Sequence, residues 1–235
     1  MRKMKILPSL TTITESRKVG DWRAQISEIK KLGLTEFALF PTKLLKEERF
    51  ELYAALKEIP SLERIPFVHL RTDMEPEEIG YLIENFQTEV FNLHTTVNWP
   101  LQYDYSKYAK QIFIENGKFV PTEADLSTFG GMCIDFSHWE SMVKFGNKDY
   151  DEQMLKMAEK YPIGVCHISA ITTEATADPS NPGYMQYDSH RLEHLQELDY
   201  MKNYLQYVPT IVAIELENSI EKQLEAKEYL EAMLG

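Results

Sequence analysis

Nine histidine and acidic side chains stand at or just behind the ends of short apolar segments in this sequence. They are His69, His94, Glu115, Asp135, His138, His167, Asp188, His190 and Glu215. Imidazole nitrogens and carboxylate oxygens are the ligands that Zn²⁺, Mn²⁺ and similar ions prefer in proteins. Two of the histidines also follow an aspartate closely, in the runs Asp135-Phe-Ser-His138 and Asp188-Ser-His190. The pattern predicts a binding site for divalent metal ions.

A single ion needs fewer ligands than this set offers. The surplus favours two or three divalent ions, with Glu115 as a carboxylate that can bridge two of them. Zinc is the expected ion, with manganese or magnesium as alternatives. Four carboxylates facing three divalent ions would leave a local charge of about +2, on a chain whose net charge is −12. Such a centre suits an anion, most naturally a phosphate.

The segments that carry these residues alternate between two kinds. Short apolar or alternating runs predict eight strands, at Met4–Leu10, Glu36–Phe40, Ile65–Leu70, Val90–His94, Gln111–Glu115, Gly131–Asp135, Gly164–Ile168 and Thr210–Glu215. Three- and four-residue apolar spacing predicts helices over Trp22–Leu32, Lys46–Ile59, a stretch opening at Glu75-Pro76, Tyr103–Lys110, a short one within Pro121–Phe129, Tyr150–Lys160, Arg191–Tyr207 and Ser219–Leu234.

Eight strand–helix units with no change of composition predict an α/β fold, a single (β/α)8 TIM barrel over residues 1–235. A doubly wound open sheet is the alternative, but no glycine-rich phosphate loop follows the first strand. In a parallel barrel the carboxyl ends of all strands open on one face, where such folds build their sites. The metal-ligand candidates should therefore meet on that rim.

The order His, His, Glu, Asp-x-x-His, His, Asp-x-His, Glu along these units resembles the endonuclease IV group of the xylose isomerase-like barrel superfamily. The resemblance implies three zinc sites, formed by His69, His94 and Glu115, by Glu115, Asp135, His167 and Glu215, and by His138, Asp188 and His190. Glu217 lies two residues beyond Glu215 and would face the same side of a strand. Either glutamate fits the last position, and Glu215 is favoured.

Two functions follow from the resemblance. The first is a metal-dependent phosphoester hydrolase, with metal-activated water as the nucleophile and with Glu115 and Glu215 as catalytic carboxylates. The alternative is a single-metal sugar or sugar-phosphate isomerase or epimerase of the same superfamily. It would hold one ion through Glu115, Asp135, His167 and Glu215, and His138 would bind a substrate oxygen. A barrel that binds metal without catalysis is a third hypothesis.

Cations are few on the predicted rim: Lys43, Arg71, Lys107, Lys118 and Arg191. Of these, Arg71, Lys118 and Arg191 are candidate substrate-binding residues, together with the aromatic Trp99. The net charge of −12 and the short loops between ligands argue against duplex DNA, because phosphate-backbone binding depends on lysine and arginine. A small anionic or sugar-phosphate substrate is the expected partner.

The composition indicates the cellular compartment in which we expect the protein. The chain has 235 residues, of which 43% are hydrophobic, but no run approaches the roughly 20 apolar residues of a membrane span. The N-terminal residues are basic without the apolar segment of a signal peptide. Two cysteines, Cys133 and Cys166, sit in apolar runs and make no disulfide framework. We therefore expect a cytoplasmic protein, and the sequence gives no indication of its oligomeric state.

Overall fold

The computed structural model of the chain describes residues 4–12, 21–178 and 181–235. Its strands are β1 (Lys5–Leu7), β2 (Ser9–Thr11), β3 (Glu36–Phe40), β4 (Arg64–His69), β5 (Val90–His94), β6 (Ile112–Glu115), β7 (Met132–Asp135), β8 (Ile163–Ile168), β9 (Ala170–Asp178), β10 (Asn181–Ser189) and β11 (Ile211–Ile214). Its α-helices are α1 (Trp22–Leu32), α2 (Lys46–Lys57), α3 (Pro76–Phe86), α4 (Glu123–Thr128), α5 (Phe136–Lys144), α6 (Lys148–Lys160) and α7 (Ile220–Leu234).

Nine of the described strands form one parallel sheet in the order β1, β11, β8, β7, β6, β5, β4, β3, β2. The two edge strands are consecutive pieces of chain that are divided only at Pro8, which has no N–H to donate. Ser9 connects the two edges, because its backbone pairs with β3 while its hydroxyl donates to Ile214 O of β11 at 2.5 Å. The sheet therefore closes into a TIM barrel, as the sequence predicts, and the open-sheet alternative is wrong.

Apolar side chains fill the barrel on both sides of its wall. The inner layer includes Phe40, Phe67, Phe113 and Val165, which all face the barrel axis and are almost completely buried. A Cβ on Gly164 would fall 2.1 Å from the ring of Phe113, so only glycine fits beside that ring. The larger outer layer packs the helices onto the sheet, which holds the strand ends of the rim in fixed positions.

Local sequence signals explain several helix boundaries. The Asp21 carboxylate accepts a hydrogen bond from Ala24 N at the start of α1, and Gly33 ends that helix with φ of 65°. Pro76 occupies the first turn of α3, where its missing N–H has no helical partner to lose. The predicted helices at both places are confirmed. Within the described residues, none of the helices combines the length and hydrophobicity of a membrane crossing.

The predicted helix over Arg191–Tyr207 is not α-helical. The chain forms 3₁₀ turns at Leu195–Asn203 and Leu205–Tyr207 instead. Five apolar side chains that face the core recur here at every third residue, with Tyr200 buried beside them: Leu195, Leu198, Met201, Tyr204 and Tyr207. A 3₁₀ helix has three residues per turn, so this spacing keeps them on one face. The predicted helix at Tyr103–Lys110 likewise becomes a 3₁₀ segment, at Ser106–Gln111.

Strands β9 and β10 form an antiparallel hairpin that the sequence analysis did not predict. It interrupts the β8 unit, and residues 179 and 180 lie outside the described chain. The hairpin lies on α5, where Ser141 Oγ accepts from Tyr187 N at 3.0 Å and the Phe145 and Tyr187 rings are 4.8 Å apart. This packing brings the end of β10 over the rim.

Candidate metal centre

Parallel strand pairing gathers six of the predicted ligands on one rim. His69, His94, Glu115 and Asp135 end β4, β5, β6 and β7, His167 is the penultimate residue of β8, and Glu215 follows β11. In register, His94 lies beside Glu115 and Asp135 lies beside His167. Because the carboxyl ends of parallel strands share one face, the short apolar strands are themselves what assembles this cluster.

Glu115 is at the centre of the cluster. Its Oε2 lies 3.1 Å from His69 Nε2 and 3.6 Å from His167 Nδ1, and its Oε1 lies 3.7 Å from His94 Nε2. Asn92 Nδ2 also donates to Oε2. Burial alone would raise the pKa of Glu115, but His167, His94 and His69 lower it well below its usual value. The carboxylate is therefore ionised and touches ligands on both sides.

One group of four ligands converges on a single point. Glu115, Asp135, His167 and Glu215 each offer a ligand atom, and these atoms all lie within 4.8 Å of one another. His167 Nδ1 is 3.1 Å from Glu215 Oε2. Two residues further along the chain, the backbone N–H of Glu217 donates a hydrogen bond to His190 O at 2.6 Å. Among the described residues, the Glu217 side chain does not belong to this group. The structure thus brings Glu215, rather than Glu217, to the four-ligand group.

Unpartnered buried atoms test whether this group fits a metal ion. Asp135 Oδ1 accepts from Ser137 Oγ at 2.5 Å and from His138 N at 2.9 Å, but the buried Oδ2 has no hydrogen-bond partner. Both ring nitrogens of the fully buried His167 also lack one. Buried polar atoms without partners are costly, and three of them meet here among carboxylates. A divalent cation would bind Asp135 Oδ2 and one ring nitrogen of His167, so these residues fit a metal ion.

The charge of His167 points to the same need. Burial alone would lower the pKa of its imidazole, whereas Cys133, Glu115 and Glu215 raise it well above the usual value. The Glu115 and Glu215 carboxylates of the four-ligand group thus favour a positive charge at this position. A divalent ion would compete with a proton for the ring.

A second group of three shares Glu115 with the first. His69, His94 and Glu115 offer ligand atoms within 4.8 Å of one another. His69 Nδ1 lies 2.8 Å from Leu70 O, and because a carbonyl only accepts, Nδ1 carries the proton. The hydrogen bond to the neighbouring carbonyl fixes the ring of His69 with Nε2 towards Glu115, as is usual for a histidine that binds a metal ion. The side chain of His94 is 45% exposed, so this group lies at the open side.

Of the third predicted group, the structure brings together His138 and Asp188. His138 Nδ1 lies 3.3 Å from Asp188 Oδ2, and His138 Nε2 lies 3.8 Å from Asp135 Oδ2. His190 is half-buried and joins no metal-type group with these two among the described residues. Burial alone would lower the pKa of His138, but Asp135 and Asp188 raise it well above its usual value. The imidazole of His138 thus lies between two carboxylates that raise its pKa, and its metal ligation stays a prediction.

Two of the three predicted substrate cations already have carboxylate partners. Arg71 donates to both oxygens of Asp73, at 2.7 and 3.0 Å, and Lys118 lies 2.7 Å from Asp178 Oδ2. Arg191 is exposed beyond the end of β10. The Trp99 ring is 58% exposed, with its centroid 6.0 Å from that of His94. Lys43 and Lys107, the other two cations of the predicted rim, are exposed as well.

Sequence reasoning missed two buried neighbours of the cluster. Asn92, on β5, donates to Glu115, and the thiol of Cys133, on β7, lies among Glu115 and His167. Each stands two residues before a predicted ligand on the same strand, so alternation along the strand would have placed it on the ligand face. A further buried link runs from Ser169 Oγ through Ser137 Oγ, at 2.6 Å, to the Asp135 carboxylate.

Comparison with protein-family models gives no match, and neither does comparison with curated proteins. Among solved structures, the chain is similar to the probable 3-DHS dehydratase AsbF of Bacillus anthracis, with a TM-score of 0.52 and 13% identity over 96% of this chain and 98% of that one. A xylose isomerase-like TIM barrel protein of Mycobacterium smegmatis in complex with magnesium matches with a TM-score of 0.47 and 13% identity, over 99% and 98%. At these identities the likeness concerns the fold.

Proposed function

We propose that this protein is a metal-dependent isomerase or epimerase that moves a proton next to the carbonyl group of a small hydroxylated substrate. The four-ligand group carries the proposal, because Asp135 Oδ2 and both ring nitrogens of His167 are buried there without partners. Glu115, Asp135, His167 and Glu215 would hold one divalent ion. Bound there, such an ion polarises a carbonyl and stabilises negative charge on its oxygen.

The charges favour a neutral sugar over a phosphate ester. Three carboxylates around one divalent ion leave one negative charge in excess, which repels an anion. Arg71 and Lys118 are bound to Asp73 and Asp178, so they add little free positive charge. A polyhydroxylated aldehyde or ketone brings oxygen atoms without a net charge. We therefore propose such a compound as the substrate class, rather than duplex DNA.

Glu215 is the residue proposed to move the proton. Its side chain is 13% exposed, against 3% for Glu115 and 1% for Asp135, so it is the carboxylate that a substrate reaches. Burial would raise the pKa of Glu215, but His190 and His167 lower it to about 2. The group is thus ionised at neutral pH, the form in which a carboxylate accepts a proton from carbon. Glu115 stays in place as a ligand, held by Asn92.

His138 is proposed to bind the substrate oxygen. Its side chain is 27% exposed, and the aspartates on either side keep it protonated. An imidazolium has two N–H donors, one of which faces Asp188. The other can donate to an oxygen that gains negative charge as the proton leaves.

Deuterium exchange tests the proposal directly. The protein loaded with Mn²⁺ is incubated in heavy water with a panel of neutral ketoses and aldoses, and deuterium on the carbon beside the carbonyl is measured by mass spectrometry. We expect exchange in the wild type, loss of exchange of at least about 100-fold in Glu215→Gln, and wild-type exchange in the matched control Glu217→Gln. Glutamine keeps an oxygen that can bind the metal ion. An unchanged metal content in Glu215→Gln would therefore show that the variant lost catalysis and not metal binding. Absence of exchange from every sugar would overturn the proposal.

A phosphoester hydrolase with two ions is the second candidate. The group of His69, His94 and Glu115 favours it, because a second ion there would share Glu115 with the first. Two divalent ions against three carboxylates would leave one positive charge in excess, which suits a phosphate, and a metal-activated water would be the nucleophile. Two metal ions per chain, with cleavage of an activated phosphodiester and no sugar exchange, would establish this candidate over the first.

A further inference from the structure

Cys133 lies beneath the cluster of predicted metal ligands, on the inner side of the barrel. It stands on β7 in register with Glu115 of β6 and two residues before Asp135, so both β7 side chains face the barrel interior. Cys133 is fully buried and packs in the inner layer with Phe113 and Val165. Because residues earlier in a parallel strand lie further from the rim, its thiol lies one layer deeper than the Asp135 carboxylate.

A second set of ligand atoms converges at this depth. Glu115, Cys133 and His167 offer atoms that lie within 4.8 Å of one another, and all three side chains are buried. His167 supplies an independent indication of a ligand, since both of its buried ring nitrogens are without hydrogen-bond partners. Three ligands at the corners of such a triangle need only a small inward shift to reach the 2.0–2.3 Å bonds of zinc.

We infer that Cys133, Glu115 and His167 form a deeper binding position for a thiophilic divalent ion such as Zn²⁺ or Cd²⁺. On binding, a sulfur–metal bond forms and the thiol proton passes to solvent. Soft thiolate selects Zn²⁺ and Cd²⁺, whereas Mg²⁺ and Mn²⁺ prefer oxygen and would occupy the four-ligand group. The inference rests on the metal-binding half of the proposed function and not on its reaction.

The two positions exclude each other because they share Glu115 and His167. An ion that moves to the deeper position withdraws both ligands from Asp135 and Glu215. It also moves away from the rim, where a substrate would bind. Zn²⁺ or Cd²⁺ should therefore displace Mn²⁺ and abolish the proposed activity. Thiophilic ions would occupy the deeper position, and ions that prefer oxygen would occupy the four-ligand group at the rim.

Absorption spectroscopy of the cobalt- and cadmium-loaded protein tests the inference. A sulfur-to-metal charge-transfer band is expected in the wild type and should vanish in Cys133→Ser and Cys133→Ala. The matched control is Cys166→Ser, which removes the other fully buried thiol, on the adjacent strand β8 but in the outer layer. We expect Cd²⁺ affinity to fall at least about 10-fold in the Cys133 variants, while Mn²⁺ affinity stays unchanged and the control keeps both affinities.

The outcomes separate this inference from the proposed function. If wild-type protein binds Co²⁺ and Cd²⁺ without a sulfur band, the deeper position is wrong, while Mn²⁺-dependent sugar exchange would still support the reaction. If the band appears but no sugar exchanges, the deeper position stands and the reaction is wrong. The wild-type spectrum decides even when a Cys133 variant fails to fold.

Discussion

The Oδ2 atom of Asp188 lies 3.3 Å from Nδ1 of His138. Asp188 comes from the hairpin strand β10 and His138 from helix α5, so this pair joins the hairpin to the rim. Asp188 is buried. Strand β10 ends at the next residue, Ser189, before the exposed Arg191. The hairpin therefore supplies one of the two carboxylates, with Asp135, that raise the pKa of His138.

Asp188→Asn should lower the pKa of His138 and destabilise the protein mainly in mildly acidic solution. The folded pKa of His138 is raised, so its stabilisation is full below about pH 6.5 and disappears as pH rises through the folded pKa. The folded pKa of Asp188 is lowered, chiefly by His138 acting against burial, so its part is present above about pH 4. Denaturant unfolding across pH, in chelator, should show the largest loss between about pH 4 and 6.5.

An NMR titration of the imidazole in wild type and Asp188→Asn would give the pKa directly. A His138 pKa that does not change would contradict the pairing. The same variant should keep its metal content, because the structure does not gather Asp188 into a metal-type group among the described residues. Loss of one ion would instead restore the third site of the endonuclease IV resemblance.

Glu115→Ala should remove every tightly bound ion, because both rim groups and the deeper one include this carboxylate. We expect metal affinity to fall at least about 100-fold, since the loss of a ligand exceeds the loss of a supporting hydrogen bond. Elemental analysis of protein purified without chelating tags measures it. Glu217→Ala is the control and should keep wild-type metal content. One full-affinity ion left in Glu115→Ala would show that Glu115 is not shared.

Asn92→Ala should weaken metal binding without removing a ligand. Asn92 is fully buried and donates to Glu115 Oε2, so it holds the carboxylate in one orientation. Loss of such a supporting residue costs about 10–100-fold in affinity. Isothermal titration with Mn²⁺ measures the change. Asn98→Ala, on the exposed part of the loop after β5, is the matched control. Equal affinities in the two variants would remove Asn92 from the site.

Glu78→Gln should destabilise the barrel strongly. Arg49 is fully buried and lies 2.6 Å from Glu78 Oε1 and 2.7 Å from Oε2, linking α2 to α3. Removing one charge leaves the other buried without its partner, which costs about 3–5 kcal/mol. Glu75→Gln breaks the parallel but exposed pair with Lys46, at 2.7 Å, and should leave the free energy of unfolding nearly unchanged. Similar denaturant midpoints for the two variants would contradict this contrast.

Much of the centre could be predicted because strand periodicity is local information. Eight apolar runs were enough to predict a parallel barrel, and in such a barrel a residue at a strand end faces the rim. His69, His94 and Glu115 met there through strand pairing alone. Asn92 and Cys133 were missed although the same alternation places them, because neither residue type by itself suggests a cluster of carboxylates.

The sequence by itself determined the barrel, the strand ends that carry the ligands and the acidic balance of the chain, since each depends on residue type and spacing along one segment. Only the tertiary structure decided which groups touch. It joined His138 to Asp188, brought His190 into no metal-type group among the described residues, and bound Lys118 to Asp178 of the hairpin. Distances between segments far apart in the chain depend on strand register, on hairpin packing and on competition between charges, and none of these can be read from local periodicity.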